Sequence, residues 1–374
     1  MFKVLSAVKE LERQGKDVVH FEIGDPDFST PKYITDAAIT SLEKGETHYQ
    51  SAIGMREFRE VVQDTIERTH GFRPDLEQVL ISPGANILIY YAIACLVNPG
   101  DEVILPDPGF ATYNSAIKFC GAVPVRIPLK EENAFRMNPE DVKKAITPKT
   151  RLIIMNSPQN PTGSVMTEAE VGRMAQIAAE ADVYLYSDEI YARMIFADTA
   201  TFSSPAVLDK CKERTIIADG VSKTYAMTGW RIGYAVGPAD VIAKMALLLE
   251  TTSSCVTPFL QRAGMAALTG GMDSVKEMMA EYKARRDMLV EGLNNIPGIT
   301  CLKPGGSFYV FPNITKTGLT SDQFAEKMLQ ANVALLPGNN FGPSGTGYVR
   351  LCYATSRERI TEGLRRIAQA LKEN

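Results

Sequence analysis

Two hydrophobic rhythms alternate along this chain. Val4, Val8 and Leu11 fall on one helical face, and Gly15 is placed to stop that helix. Val19, Phe21 and Ile23 then alternate with His20 and Glu22, the period-two pattern of a half-buried strand with His20 turned outward. Gly24-Asp25-Pro26-Asp27 breaks that strand, and Thr30-Pro31 offers a helix start with proline in the first turn. From there helical stretches alternate with short apolar runs. Residues 87–96 are helical in pattern and end at Asn98-Pro99-Gly100-Asp101. Val103-Ile104-Leu105 reads as a buried strand and residues 123–127 as another. Asn138-Pro139 opens a helix through Ile146, and Leu152-Ile153-Ile154-Met155 is a continuous apolar strand. Thr167-Glu168-Ala169-Glu170 is a capping box for a helix through Ala179, and residues 183–186 and 215–218 are the next strands.

Strands that alternate with helices predict an α/β fold: a mostly parallel large-domain sheet covered by helices on both faces. After a long helical pattern over residues 275–293 the texture changes. Residues 307–311 and 348–351 read as strands of a smaller α+β unit, closed by a final helix near residues 357–371. The first helix and strand precede the α/β run, so the small domain is expected from both chain ends. This gives a large domain over residues 26–284 and a small domain of residues 1–25 plus 285–374.

Composition narrows the chemistry. With 374 residues, 45% hydrophobic and 22% charged, the chain can bury a large core in two domains. A net charge of -4 offers no basic face for nucleic acid or a membrane surface. No apolar run is long enough to span a bilayer. The six cysteines are scattered without a CxxC pair, which points to a reducing, cytoplasmic setting. Three histidines, His20, His48 and His70, give little support to a metal cluster or Ser-His-Asp hydrolysis, so no metal is expected.

Ligands in an open parallel sheet bind beyond the carboxyl ends of the strands, so the residues that follow each strand test for a site. The run after residues 215–218 contains Lys223 among small residues, with Arg231 eight positions on. An amine able to form a Schiff base beside a guanidinium able to hold phosphate suits pyridoxal phosphate. The other strand ends present Asp107-Pro108-Gly109-Phe110, Asn156-Ser157-Pro158-Gln159-Asn160-Pro161 and Asp188-Glu189-Ile190-Tyr191. Each has an ordinary alternative. Asp188 could cap a following helix, Asn160-Pro161 could be a turn, and Phe110 could be core. Ser82-Pro83-Gly84-Ala85-Asn86 precedes a helix whose free N–H groups suit a phosphate.

Taken in order, Asn160-Pro161-Thr162-Gly163, Asp188-Glu189-Ile190-Tyr191 and Ser222-Lys223-Thr224-Tyr225-Ala226-Met227-Thr228-Gly229-Trp230-Arg231 resemble the fold-type I, class I/II aminotransferases of the aspartate and aromatic kind. The resemblance runs from about Val4 to the C-terminus. It implies transfer of an amino group between an L-amino acid and a 2-oxo acid by a ping-pong course. Lys223 would be the Schiff-base lysine and proton shuttle, and Asp188 the partner of the pyridine nitrogen. Tyr191 and Asn160 would bond the phenolic oxygen, and Phe110 would stack on the ring. Ala85, Asn86, Ser222 and Arg231 would meet the phosphate, joined by Tyr49 reaching into the site of a partner subunit in a homodimer. Arg350, helped by Asn160 and the backbone of Gly24, would hold the substrate carboxylate. A pyridoxal phosphate lyase or cyclase uses the same residues and stands as the alternative. Three positions depart from the family pattern: Gly220 where many relatives have serine, Asn86 where some aspartate-specific relatives have lysine, and Thr251-Thr252-Ser253-Ser254 without a cation.

Overall fold

The computed structural model describes residues 2–372, with side chains from Ser6 onward, so the Val4 side chain on the first helical face lies outside the described residues. Helix α1 (Phe2–Arg13) is followed by Gly15 at φ 75°, a left-handed residue that suits glycine and ends the helix where expected. Strand β1 (Val19–His20) is shorter than the alternation implied. Val19 and Phe21 are buried, but so is Glu22, while Ile23 is half exposed. Pairing with the neighbouring strand ends at His20, after which the chain turns to bring the Glu22 and Gly24 carbonyls to a cavity. Helix α2 (Lys32–Glu43) starts just past Pro31, and Thr30 does not cap it. The Thr30 hydroxyl instead donates to the Ala226 carbonyl at 2.7 Å and accepts from the Trp230 indole at 3.1 Å, which ties this loop to the Lys223 segment.

The α/β run continues through α3 (Arg56–His70), β2 (Val79–Ser82), α4 (Ala85–Leu96), β3 (Glu102–Asp107), α5 (Ala111–Phe119) and β4 (Val123–Pro128). It goes on with α6 (Pro139–Ala145), β5 (Thr150–Asn156), α7 (Glu168–Ala181), β6 (Tyr184–Asp188), β7 (Thr215–Gly220) and β8 (Gly233–Val236). The capping signals hold: the Asn138 side chain accepts from Glu140 N–H, and Thr167 and Glu170 form a reciprocal capping box. The seven strands β2 to β8 make one sheet in the order β2-β8-β7-β6-β5-β3-β4. Its pairs are parallel except those of β8, which runs antiparallel to both neighbours. Residues 221–232 link β7 to β8 without a crossover α-helix, so the chain can only return against its own direction.

Alternation along β7 distributes the core. Ile217 faces a cluster with Ile34, Phe58 and Ala263, whereas Ile216 and Ala218 face Leu88, Tyr113 and Met245 on the other side. Burying one such isoleucine contributes about 2 kcal/mol. Helices α8 (Ala239–Ser253), α9 (Pro258–Thr269) and α10 (Asp273–Asn294) complete the layers. Beyond them come β9 (Tyr309–Val310), α11 (Ser321–Gln330), β10 (Val333–Ala334), β11 (Leu336–Pro337), β12 (Val349–Cys352) and α12 (Arg357–Lys372). β12 pairs antiparallel with both β9 and β11, while β1 pairs parallel with β10. One core joins Val19 and Phe21 to Leu289, Leu351 and Ile360, so the two chain ends are packed together. α10 enters both cores, with Val275 in one and Leu289 in the other. Among the described residues no helix is long and apolar enough to cross a membrane, and all six cysteines are free.

Candidate active site

A cavity of about 680 Å³ lies where the carboxyl ends of β3, β5, β6 and β7 meet the segment after β1 and the β9–β12 layer. Lys223 enters it from the turn after β7. Its ammonium donates to the Gly24 carbonyl at 2.7 Å and lies 5.6 Å from the centre of the Phe308 ring. Burial, the largest influence, pulls its pKa from 10.5 down to about 8. Asp188, the last residue of β6, is buried at the cavity wall. It caps no helix, because none follows. It accepts from the Tyr113 hydroxyl at 2.6 Å and from the Ile190 N–H at 3.3 Å. Burial pushes its carboxyl up to about 6, against the lowering pull of Tyr113.

Arg350 projects from β12, 3% exposed. One terminal nitrogen donates to Asn160 Oδ1 at 3.0 Å and the other to the Glu22 carbonyl at 2.6 Å. The guanidinium lies over the Tyr309 ring at 4.4 Å, and its Nε is buried without a partner. Asn160 is held by its own N–H, which donates to Asn156 Oδ1 at 2.9 Å. Tyr191 sits in the turn after β6 with its hydroxyl 3.0 Å from that of Tyr309. Phe110 lines the cavity just ahead of α5, edge-on to Tyr113.

The start of α4 forms another wall. Ala85 and Asn86 are its first residues, and Gly84 before them has φ 88°. A Cβ on Gly84 would sit 2.5 Å from the Arg231 guanidinium, so glycine lets that cation lie against the helix N-terminus. Gly220 has a steric reason too. It pairs with Gly233 across β7 and β8, and a Cβ on it would meet the Ile232 carbonyl at 2.9 Å. Ser222, Arg231 and Gly24 all line the cavity. Tyr49 does not: it is 85% exposed, on a surface groove with Leu247 and Glu250.

Tyr113, Tyr309, Phe308, Asn156 and Asn340 were not singled out from the sequence. Tyr113 follows Phe110 by one helical turn, a spacing that could have marked it. In the sequence Tyr309 is a strand residue like its neighbours, and nothing pairs it with Tyr191.

The charges at this cavity are unmatched. Among the described residues Lys223, Arg231 and Arg350 have no carboxylate within ion-pairing reach, and Asp188 has no cation. A buried carboxylate, an amine and two guanidiniums held apart in this way call for a ligand with a basic ring nitrogen, a carbonyl carbon and anionic groups. Pyridoxal 5'-phosphate with an amino-acid substrate has that set, so the residues present fit it.

Lys223 is costly to bury. Between pH about 8 and 10.5 the unfolded chain binds more protons at this site than the folded one, so folding is penalised below pH 8 and the penalty fades as pH rises. In the cofactor-free protein Lys223→Met is therefore expected to raise Tm at pH 7 by roughly 2 °C or more. The gain should shrink toward pH 10.5 in thermal scans, and a gain that grew with pH would contradict this origin.

An α/β sheet with a desolvated lysine beyond one strand, a buried carboxylate beyond its neighbour and a cation at a helix N-terminus defines a pyridoxal-phosphate enzyme. The chain belongs to the aminotransferases of class I and II, whose family pattern matches residues 16–367. It is 42% identical to an aspartate aminotransferase of Pyrococcus horikoshii, covering 98% of this chain and 95% of that one. It is 39% identical to an aromatic-amino-acid aminotransferase of Thermococcus litoralis, covering 95% and 92%. The solved structure of Thermus thermophilus aspartate aminotransferase with maleate superposes with a TM-score of 0.95 at 35% identity, over 99% of this chain and 96% of that one. The protein is a pyridoxal-phosphate-dependent aminotransferase that moves an amino group between an amino acid and a 2-oxo acid, and the lyase alternative has no support among these relatives.

Proposed function

We propose that this aminotransferase acts on L-amino acids with uncharged side chains, aromatic ones foremost, and that the residues gathered at the cavity divide the work as follows. Bound there, pyridoxal phosphate supplies an electrophilic carbon and an electron-withdrawing ring. Lys223 would hold that carbon through its amine and, when that amine is free, would serve as the base that takes the proton from the substrate Cα. Its lowered pKa, about 8, supports the base role. Asp188 holds the ring nitrogen protonated, and Tyr113 and the Ile190 N–H keep Asp188 anionic and aimed. Tyr191 and Asn160 face the phenolic oxygen, and Phe110 covers one ring face. Arg231, Ser222 and the first N–H groups of α4 receive the phosphate. Arg350, oriented by Asn160 and the Glu22 carbonyl, receives the substrate carboxylate, with the Gly24 backbone beside it.

The observation that carries the substrate class is the count of cations. Lys223, Arg231 and Arg350 are the cations at the cavity wall, and all three have tasks. Asn86 and Asn340 add neutral amides at the wall, and Thr251-Thr252-Ser253-Ser254, whose Ser254 lies on the Tyr49 groove, carries no charge. A second carboxylate on the substrate would be desolvated without a partner. Half-reactions with an amino-acid panel, followed by loss of visible absorbance, test this. Phenylalanine or tyrosine should exceed aspartate in kcat/KM by about tenfold or more. Aspartate ranking highest would overturn the reading and favour the activity named for the Pyrococcus relative.

The chain divides into a large domain over residues 26–284 and a small domain of residues 1–25 plus 285–374, supported by the core that joins both ends. Its six free cysteines support a cytoplasmic setting. It acts as a homodimer in which the exposed Tyr49 reaches the partner's phosphate, a reading that a monomer in sedimentation velocity would remove.

A further inference from the structure

Tyr309 has no task in that division, yet it stands between two residues that do. Its hydroxyl lies 3.0 Å from the Tyr191 hydroxyl, and its ring lies under the Arg350 guanidinium, 4.4 Å from carbon to ring centre. It is 2% exposed and lines the cavity. Tyr191 comes from the turn after β6, whereas Tyr309 comes from β9, whose neighbour β12 carries Arg350. A Cβ on Gly24 would collide with the Tyr309 hydroxyl, so the backbone closes round the phenol and leaves it little freedom.

Each phenol has one proton, and the two oxygens share one hydrogen bond. If Tyr191 donates to Tyr309, its own oxygen can only accept from a ligand. If Tyr309 donates to Tyr191, the Tyr191 proton is free to be given to an acceptor in the cavity. The cation stacked on the Tyr309 ring favours the second arrangement, because a positive charge strengthens that hydroxyl as a donor. The bond received by Tyr191 then strengthens the bond it gives.

We propose that Tyr309 is a positioning residue: it donates to Tyr191, turns that hydroxyl toward the cofactor's phenolic oxygen, and links it to the arginine that holds the substrate carboxylate. This rests on the role proposed above for Tyr191. Tyr309 itself touches no reacting atom. It acts through Tyr191 on the electron density of the phenolic oxygen, and so on the basicity of the nitrogen by which Lys223 holds the cofactor.

The test is the pH midpoint of the visible absorbance of the cofactor-loaded protein, read for wild type, Tyr309→Phe, Tyr191→Phe and the double variant. Phenylalanine keeps the Tyr309 ring under Arg350, and the absorbance itself reports that each variant is folded and loaded. Tyr191→Phe removes a donor from the phenolic oxygen, which then holds the neighbouring proton more tightly, so the midpoint should rise. Tyr309→Phe should raise it in the same direction by a smaller step, roughly half a pH unit. The double variant should match Tyr191→Phe, because the effect passes through that hydroxyl. A Tyr309→Phe midpoint equal to wild type, or a further shift of the same size in the Tyr191→Phe background, would overturn the inference while the Tyr191 role stands. A silent Tyr191→Phe would instead remove the Tyr191 role and this inference with it.

Discussion

Lys223→Ala is expected to lower kcat for transamination by about four orders of magnitude. It should also abolish the covalent adduct that borohydride traps in the wild-type protein. Two losses combine. The variant has no amine to join the cofactor, and no group in place to carry a proton from the substrate Cα. Water is a poor substitute, because the side chain sits in a desolvated pocket with the Gly24 carbonyl as its hydrogen-bond partner. Cofactor affinity should fall less than kcat, since Asp188, Arg231 and the start of α4 remain. Mass spectrometry of the borohydride-treated protein checks the first point: an adduct retained in Lys223→Ala would move the role to another lysine.

Arg350→Leu should act on the other substrate coordinate. A bidentate guanidinium–carboxylate pair is lost, together with the desolvated setting that strengthens it, so kcat/KM should fall by about 10²- to 10³-fold. The loaded protein should keep its visible absorbance, because Arg350 holds the substrate and not the phosphate, but the pH midpoint of that absorbance should rise, since the cation stacked on the Tyr309 ring is gone. Arg350→Lys should restore only part of the loss. One ammonium cannot reach Asn160, the Glu22 carbonyl and a carboxylate in one plane. The unpartnered Nε of Arg350 and the second N–H of each terminal nitrogen are the donors left for a ligand. Steady-state kinetics with one good substrate decide the matter: an unchanged KM would exclude Arg350 as the carboxylate receiver.

The α/β framework was legible because strands and helices carry different periods, and the capping residues Asn138 and Thr167 marked helix starts to within a residue. The direction of β8 was not legible, since a short return and a crossover look alike until the linking residues are placed. The residues that gather at the cavity were legible because strand ends are a local feature and the site lies at strand ends. Tyr309 was not, because its importance lies in a contact with Tyr191 across 118 residues of chain. The burial of Glu22 was not legible for the same kind of reason. A polar residue in an alternating strand reads as outward-facing, but the Glu22 side chain is buried against His20 and its carbonyl accepts from an arginine 328 residues away. Gly220 was visible as a missing serine, while its cause, the tight pairing with Gly233, is visible only across the sheet.

The contact between Glu22 and Arg350 also sets an order of events during synthesis. Asn160, Asp188, Lys223 and Arg231 emerge from the ribosome well before β12, and the sheet that carries them is complete at Val236. The receiver of the substrate carboxylate joins the segment just after the first strand to the last strand. A nascent chain therefore has the strand-end side chains for the cofactor long before it can grip an amino acid, and only the finished polypeptide joins the two.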